Sequence, residues 1–388
     1  MKIAILGDFH LGYPRFYEDS FSQAERAFKK ACETADLIVL AGDIFDTKTP
    51  RLEVIERSLR IFGIAKEKKW EAKSEGETCL PVVAIHGTHE RRQKDSANVV
   101  QVVEAAGAWK DVHNKKAVFS LGSERVAVQG LGGVPEEYAA VAMKAAGFSP
   151  LKGAFNILVF HQSIEELIPG KGETLSLEDL PPGFDLYICG HMHKNYFGKA
   201  QNGDFVIPGS TVVTQMRKEE SGKKGFVMFD TKAKRHDFVE IETRPFFFRE
   251  IELKEASGEE VKRKIREEAE ALIGKAKDKP IIKIKVAGTL AKGLKPSDVG
   301  RLEGEFSDRA FLSVDIGLEE QALAKSLELL KELKGKRLSV REMGLEILKK
   351  KLKEAKCTIE NPETLFDSLA EGNGEGVVRE IAEKAKKN

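Results

Sequence analysis

Short apolar runs, each ending in a glycine or a polar loop, recur through roughly the first 240 residues of the chain. Continuous apolar runs cover residues 2–6, 37–41, 81–85, 155–160 and 186–189. Runs of this length between turn residues are typical of strands buried on both faces of a sheet. Helix-spaced apolar residues lie between several of them, at 22–33, 50–62, 96–106 and 135–146. This alternation predicts an α/β sheet domain covered by helices.

The pattern changes after the dipeptide Arg244-Pro245. Strands are predicted at 246–253, 280–286 and 310–316, separated by a helix that begins in the capping box at Ser257 and by a second helix at 296–306. Four leucines at helical spacing then begin a helical segment, at 323, 327, 330 and 333. We therefore predict three parts: a sheet domain at 1–244, a small α+β domain at 245–317 and a helical tail at 318–388.

Composition and charge narrow the class of protein. The 63 Lys and Arg against 62 Asp and Glu give a net charge of +1, so no overall basic excess indicates nucleic-acid binding. The 4 cysteines form no Cys-x-x-Cys pair, which argues against a disulfide framework and a structural zinc site. No apolar run approaches the ~20 residues of a membrane helix, and no signal-peptide pattern is present. We expect a soluble, cytoplasmic protein.

Carboxylate and imidazole side chains gather directly behind the predicted strands. Because the carboxyl ends of parallel strands meet at one edge of a sheet, we expect these side chains to converge. Of the 8 histidines in the chain, five fall in such loops. A buried, hydrogen-bonded histidine explains any single case, but not the set. The residues concerned are Asp8, His10, Asp43, His89, His161, His191 and His193.

This set of donors predicts a metal centre. Mixed carboxylate and imidazole ligands suit manganese, iron or zinc better than calcium, and the absence of thiolates argues against a closed structural zinc site. An aspartate shared by two ions ~3.5–4 Å apart fits two-metal hydrolysis, in which the ions activate water and hold phosphate oxygens.

Five motifs together resemble those of the calcineurin-like metallophosphoesterases. They are Gly7-Asp8-Phe9-His10, Gly42-Asp43, Gly87-Thr88-His89-Glu90, His161 and Gly190-His191-Met192-His193. Four further stretches narrow the resemblance to the family of double-strand-break repair nucleases named after meiotic recombination protein eleven. They are Leu11-Gly12, Phe45-Asp46, Pro208-Gly209-Ser210 and Arg244-Pro245-Phe246. It implies a four-layer sandwich of two sheets flanked by helices, a small α+β capping domain that contacts DNA, and a helical tail that docks on a coiled-coil, SMC-like repair ATPase.

The resemblance also implies a role for each residue. Two manganese ions per subunit are expected, the first at Asp8, His10 and His193, the second at His161 and His191, with Asp43 bridging both. His89 is expected beside the scissile phosphate, where it stabilises charge or protonates the leaving oxygen. The implied activity is a manganese-dependent 3′-to-5′ exonuclease and single-strand endonuclease. The implied assembly is a homodimer paired through the helices at 52–62 and 99–103, although packing in the core of the domain would explain their apolar faces as well.

Thr88 departs from the family pattern, which usually has asparagine there, with its side-chain carbonyl on the second metal. A threonine hydroxyl has a shorter reach, so ligation through the hydroxyl, ligation through a water and no ligation all stay open. We expect weaker affinity for the second metal than with asparagine. His86 is close enough in sequence to compensate, although a histidine at the end of a strand more often packs.

Several weaker features have two interpretations. The basic residues Arg91, Arg92 and Lys94, and the later group Arg217, Lys218, Lys223 and Lys224, either contact a phosphate backbone or form solvated turns. Two other functions remain open as well. The same ligands would serve a metallophosphatase or phosphodiesterase for a smaller substrate. The departure at Thr88 would also fit a DNA-bridging scaffold with a weakened metal site.

Overall fold

The computed structural model describes residues 1–68, 79–91, 96–168, 174–319, 339–354, 359 and 361–370. The α-helices among them are α1 (Tyr17–Thr34), α2 (Leu52–Glu67), α3 (Val99–Ala105), α4 (Ala139–Ala145), α5 (Gly258–Ile273), α6 (Val340–Glu354) and α7 (Pro362–Ala370). The strands are β1 (Lys2–Leu6), β2 (Leu37–Leu40), β3 (Val82–Ala84), β4 (Lys110–Asp111), β5 (Lys116–Leu121), β6 (Glu124–Leu131), β7 (Phe155–His161), β8 (Leu186–Gly190), β9 (Tyr196–Ala200), β10 (Gly203–Ile207), β11 (Gly225–Asp230), β12 (Arg235–Glu240), β13 (Phe246–Ala256), β14 (Ile281–Leu290) and β15 (Phe311–Glu319).

Two six-stranded sheets carry the motifs. The first has the order β12-β11-β1-β2-β3-β4, and its strands β1 to β4 run parallel. The second has the order β5-β6-β7-β8-β10-β9, with β6, β7, β8 and β10 parallel. β5 and β9 run antiparallel at its edges. The central strands are continuous apolar runs because both faces of each sheet are covered.

The two sheets share one hydrophobic core. Along β7, Ile157 and Val159 join the core that also contains β1, β2 and one face each of α1, α2 and α3. Their neighbours Leu158 and Phe160 point to the opposite face and pack with α4. The alternation follows from the two-residue period of a strand. Two sheets flanked by helices confirm the predicted sandwich.

Three differences from the predicted elements have local causes. The helix predicted at 296–306 is wrong: two short 3-10 helices, Pro296–Val299 and Glu303–Phe306, lie there. Gly300 separates them with φ at 73°, which stops a continuous helix. The edge strands β4 and β9 were missed because β4 has two residues and the five residues of β9 include Gly198 and Lys199, which interrupt its apolar run. The leucines at 323–333 lie outside the described residues.

The chain divides into two compact units. The first comprises Met1–Phe248, Lys275–Lys283 and Asp308–Phe311, and the second comprises Arg249–Gly274, Ile284–Ser307 and the described residues from Leu312 onward. Within the second unit, α5 buries one face of apolar residues, and Arg341 of α6 pairs with Asp367 of α7 at 2.8 Å. The three-part division at 244 and 317 stays a prediction. In the part of the chain that is described, no helix is both long and apolar enough to cross a bilayer.

Candidate metal centre

The loops that follow β1, β2 and β8 have an unusual backbone conformation, which orients their polar side chains. Asp8, His10, Asp43 and His191 have φ values of 53°, 46°, 47° and 78°. Positive φ is uncommon for residues other than glycine and persists where the surrounding structure holds it in place. The first two loops are locked to each other, since the amide of Asp8 donates to Gly42 O at 3.0 Å and that of His10 donates to Asp43 O at 3.0 Å.

Two glycines make room for the ligand-type side chains. Gly42 has φ at 89°, and a Cβ atom there would come within 2.5 Å of Nδ1 of His161. A Cβ atom on Gly87 would overlap the carboxylate of Asp43. Close approach therefore requires both glycines, and the positive φ at Gly42 is a second reason for glycine there.

The first ligand cluster contains Asp8, His10 and His193, one donor atom of each lying within 4.8 Å of the others. Nε2 of His10 lies 3.2 Å from Nε2 of His193, and Oδ1 of Asp8 lies 3.9 Å from the same atom of His193. Asp8 is fully buried and His10 is 2% exposed. Asp8 and His10 lie in one loop, whereas His193 follows His10 by 183 residues, so the fold brings His193 to the other two.

The second ligand cluster contains Asp43, His161 and His191, and one donor atom of each again lies within 4.8 Å of the others. Nε2 of His161 lies 3.1 Å from Oδ2 of Asp43. Nδ1 of His161 donates to Ala41 O at 2.7 Å, so in the neutral ring, the form that binds a metal ion, the lone pair is on Nε2 and faces the cluster. Asp43 also belongs to a third group with His10 and His89. Its carboxylate thus reaches toward both clusters, as a bridging ligand would.

The unmet polar atoms of the first cluster fit a cation. Oδ2 of Asp8 is buried and has no hydrogen-bond partner among the described residues. Nδ1 of His10 lies 3.3 Å from a carboxylate oxygen of Asp46, and Nδ1 of His193 lies 3.0 Å from one of Glu220. A carboxylate favours the ring proton on the nitrogen beside it, which leaves the two Nε2 lone pairs facing each other. Asp8, His10 and His193 would therefore hold a divalent ion, and their nitrogen and oxygen donors suit manganese, iron or zinc.

The electrostatics of the carboxylates also favour a cation. Burial raises the pKa of Asp8. Burial acts in the same direction on Asp43, but the neighbouring His161 outweighs it and holds the pKa of Asp43 well below its usual range. Burial disfavours the charged ring of His161, yet Asp43 raises its pKa to about 10. Positive charge is therefore strongly favoured beside Asp43.

His89 and Thr88 lie at the edge of the clusters. The side chain of His89 is 44% exposed, and its Nδ1 donates to the backbone oxygen of Asp46 at 2.7 Å. Its ring edge contacts the ring of His10, with 4.8 Å between centroids. The hydroxyl of Thr88 donates to Oδ2 of Asp43 at 3.2 Å. The structure thus brings every predicted site residue into one region, and the assignment of individual ligands stays a prediction.

Three buried or half-buried acids that support the site were not predicted. Asp46 faces both His10 and His89. Glu90 accepts hydrogen bonds from the amides of Phe45 and Gly87 and so ties two site loops together. Burial, aided by the charge of Asp43, raises the pKa of Glu90 to about 8. Asp46 and Glu90 stand inside the quoted motifs, so a search for partners of the histidines would have found them.

The third unpredicted acid, Glu220, gave no signal because it stands in a charged run that suggests a solvated turn. It is 3% exposed. Burial opposes its charge, but the hydrogen-bonded ring of His193 and the ammonium of Lys224 lower its pKa to about 2. It is therefore an ionised carboxylate inside the protein.

The basic residues that were predicted to contact a phosphate backbone or to form solvated turns differ in their exposure. Lys224 is 5% exposed and donates to Oγ of Ser210 at 2.7 Å, so it is an interior residue and the expectation of a surface contact is wrong. Lys223 is exposed and pairs with Glu240. Arg92 and Lys94 lie outside the described residues. His86 is buried and packs edge-on against the ring of His113, with 4.6 Å between centroids.

The sequence is similar to known proteins over much of its length. The family model of the calcineurin-like phosphoesterases matches residues 1–195. The chain is 30% identical over 298 residues to the DNA double-strand break repair protein Mre11 of Methanopyrus kandleri, which covers 69% of this chain and 62% of that protein. It is 24% identical over 376 residues to the protein of the same name from Archaeoglobus fulgidus, covering 88% and 80%. It is 25% identical over 304 residues to the human double-strand break repair protein MRE11, covering 65% of this chain but only 42% of that protein. The chain thus spans less than two thirds of the Methanopyrus and human proteins.

Proposed function

The chain belongs to the calcineurin-like phosphoesterase family, and on that premise we propose that it is a manganese-dependent DNA nuclease of double-strand-break repair. The observation that carries the proposal is the pair of neighbouring ligand clusters, of which the second contains Asp43, a residue that is also grouped with His10 of the first. Members of this family use divalent metal ions. Two such ions supply Lewis acidity, a more acidic water and a clamp on phosphate oxygens, which is the chemistry that phosphodiester hydrolysis needs.

The site residues have two proposed roles: metal ligands, and one residue that contacts the substrate. Asp8, His10 and His193 would hold one manganese ion per subunit, and His161 and His191 the other, with Asp43 on both. His89 takes the second role. Because its Nδ1 proton is held by Asp46 O at 2.7 Å, Nε2 is the ring nitrogen left for the phosphate. With both ring nitrogens protonated, it would donate from Nε2 to a charged oxygen or protonate the leaving oxygen.

A DNA substrate is favoured over a small phosphoester by the extent of the similarity. The match to the Archaeoglobus repair protein covers 88% of this chain, well beyond the residues 1–195 that the phosphoesterase family model covers. We therefore propose 3′-to-5′ exonuclease and single-strand endonuclease activity, inside the cell where the DNA substrate lies.

Two partners complete the proposal. Leu52 of α2 and Val102 of α3 are 82% and 50% exposed, which is high for apolar residues and suits a homodimer paired through these helices. The helical tail, of which α6 and α7 are described, would dock on a coiled-coil, SMC-like repair ATPase.

The decisive experiment compares cleavage of DNA and of an aryl phosphodiester by the full chain with manganese. We expect DNA cleavage that chelator abolishes, and a loss of about 10²- to 10⁴-fold in rate for His89→Asn with manganese binding unchanged. His236→Asn, a histidine on β12 that stacks on Phe197, is the matched control and should keep full activity.

Other outcomes would point to the rival functions. Cleavage of the aryl substrate without cleavage of DNA would favour a phosphatase or phosphodiesterase for small substrates. DNA binding without any manganese-dependent cleavage would favour a scaffold. A His89→Asn variant with full nuclease activity would refute the role given to that residue.

A further inference from the structure

We propose that Glu220 is a positioning residue for the first ligand cluster. Its carboxylate fixes the orientation and tautomer of the His193 ring and thereby sets the affinity of that cluster for its metal ion. The inference rests on the proposed function, because it requires His193 to be a metal ligand.

The contact lies on the outer nitrogen of the ring. Oε1 of Glu220 lies 3.0 Å from Nδ1 of His193, whereas Nε2 of the same ring faces His10 and Asp8 across the cluster. An ionised carboxylate only accepts hydrogen bonds, so Nδ1 carries the proton and Nε2 presents its lone pair. Carboxylates that hold the outer nitrogen of a ligating histidine orient the ring and increase its basicity.

Glu220 is itself held firmly enough for this task. Its two oxygens accept hydrogen bonds from the backbone amides of Thr214 at 3.1 Å and Gln215 at 2.8 Å, with a longer one from Arg217 at 3.4 Å. Nζ of the buried Lys224 lies 4.0 Å away and balances the charge. A buried carboxylate with this many partners has one orientation, so the ring that it contacts has one as well.

The same network reaches the backbone of the ligand loop. Nζ of Lys224 donates to Oγ of Ser210 at 2.7 Å and more weakly to the backbone oxygen of His193 at 3.4 Å. The hydroxyl of Thr214 lies 3.0 Å from Nδ1 of His193. Glu220 and Lys224 together therefore hold both the ring and the main chain of this one histidine, and neither contacts the second cluster among the described residues.

The test measures manganese binding by the full chain without DNA, from the electron paramagnetic resonance signal of free Mn²⁺. Glu220→Gln keeps the shape of the side chain but removes its charge. We expect one of the two sites to weaken by about 10- to 100-fold and the other to stay unchanged. The matched control is Glu219→Gln, the exposed neighbour in the same short 3-10 helix, and it should behave as the unaltered chain does.

Nuclease kinetics separate positioning from simple loss of structure. In Glu220→Gln the manganese concentration for half-maximal rate should rise by the same 10- to 100-fold, while the maximal rate at saturating manganese is largely restored. A rate that stays low at every manganese concentration, with both sites weakened, would mean that Glu220 only stabilises the fold and would overturn the proposal. Unchanged manganese affinity would overturn it equally.

A measurement on the unaltered chain keeps the proposal testable if Glu220→Gln does not fold. In zinc-loaded protein labelled with ¹⁵N at histidine, the ring of His193 should show its proton on Nδ1, with the signal assigned by its loss in His193→Asn. A ring protonated on Nε2 would overturn the proposal. An unaltered chain that binds no manganese at all would instead refute the proposed function, so the two failures are distinguishable.

Discussion

The two ligand clusters meet at Asp43 but hold their histidines by different means. In the first cluster, side-chain carboxylates lie against the outer ring nitrogens: Asp46 beside His10 and Glu220 beside His193. In the second, a backbone carbonyl, that of Ala41, accepts from His161. A carboxylate adds charge and can be changed by one substitution, whereas a carbonyl depends only on the path of the main chain. The first cluster is thus tuned by side chains, whereas in the second the ring of His161 is set by backbone geometry and Nε2 of His191 lies 3.6 Å from a carboxylate oxygen of Glu136.

The largest expected effect comes from the residue that the clusters share. Asp43→Asn keeps the size of the side chain but removes the charge that both ions would contact, so binding at both sites should weaken and the maximal rate should fall by about 10²- to 10³-fold or more. Manganese titration by calorimetry together with nuclease rates at saturating metal would measure this. Loss confined to one site would show that Asp43 does not bridge and that the clusters are independent.

An intermediate effect should be confined to the second cluster. In Gly42→Ala, the new Cβ atom would meet Nδ1 of His161 at 2.5 Å, in a backbone conformation with φ at 89°. We expect a loss of about 1–2 kcal/mol in the free energy of unfolding and an affinity about 10-fold or more lower at the second manganese site only.

The matched control for this variant is Gly63→Ala. Gly63 lies in α2 with open space around it, so alanine there should leave both metal sites unchanged and raise the free energy of unfolding by about 0.5–1 kcal/mol. Denaturant unfolding and manganese titration check both variants. Equal weakening of the two sites in Gly42→Ala would contradict a second cluster set by its own backbone.

The sequence predicts well the strands and the ligand-type side chains that directly follow them. The apolar runs predict β1, β2, β7 and β8, and parallel pairing then brings Asp8 and Asp43 to one edge of the first sheet. His161 ends a strand of the second sheet, and the packing of the two sheets brings it to them. What it does not predict depends on contacts across the fold. Glu220 is 27 residues from His193 and stands among charged neighbours, so no local pattern distinguishes it from a solvated residue. Likewise, the helix expected at 296–306 failed at Gly300, because apolar spacing carries no information about φ.

The smallest expected effect concerns Thr88, where the second cluster lacks the side-chain carbonyl of its family. Its hydroxyl donates to Oδ2 of Asp43 at 3.2 Å, so it occupies a lone pair of that carboxylate. Thr88→Asn should release that lone pair and add a carbonyl donor, which tightens manganese binding at the second site by about 10-fold, or ~1.4 kcal/mol. Thr88→Val, which removes the hydroxyl and adds no donor, should show no such gain. Calorimetry that found equal or weaker binding in Thr88→Asn would mean that the backbone of the second cluster, rather than the residue at 88, limits its affinity.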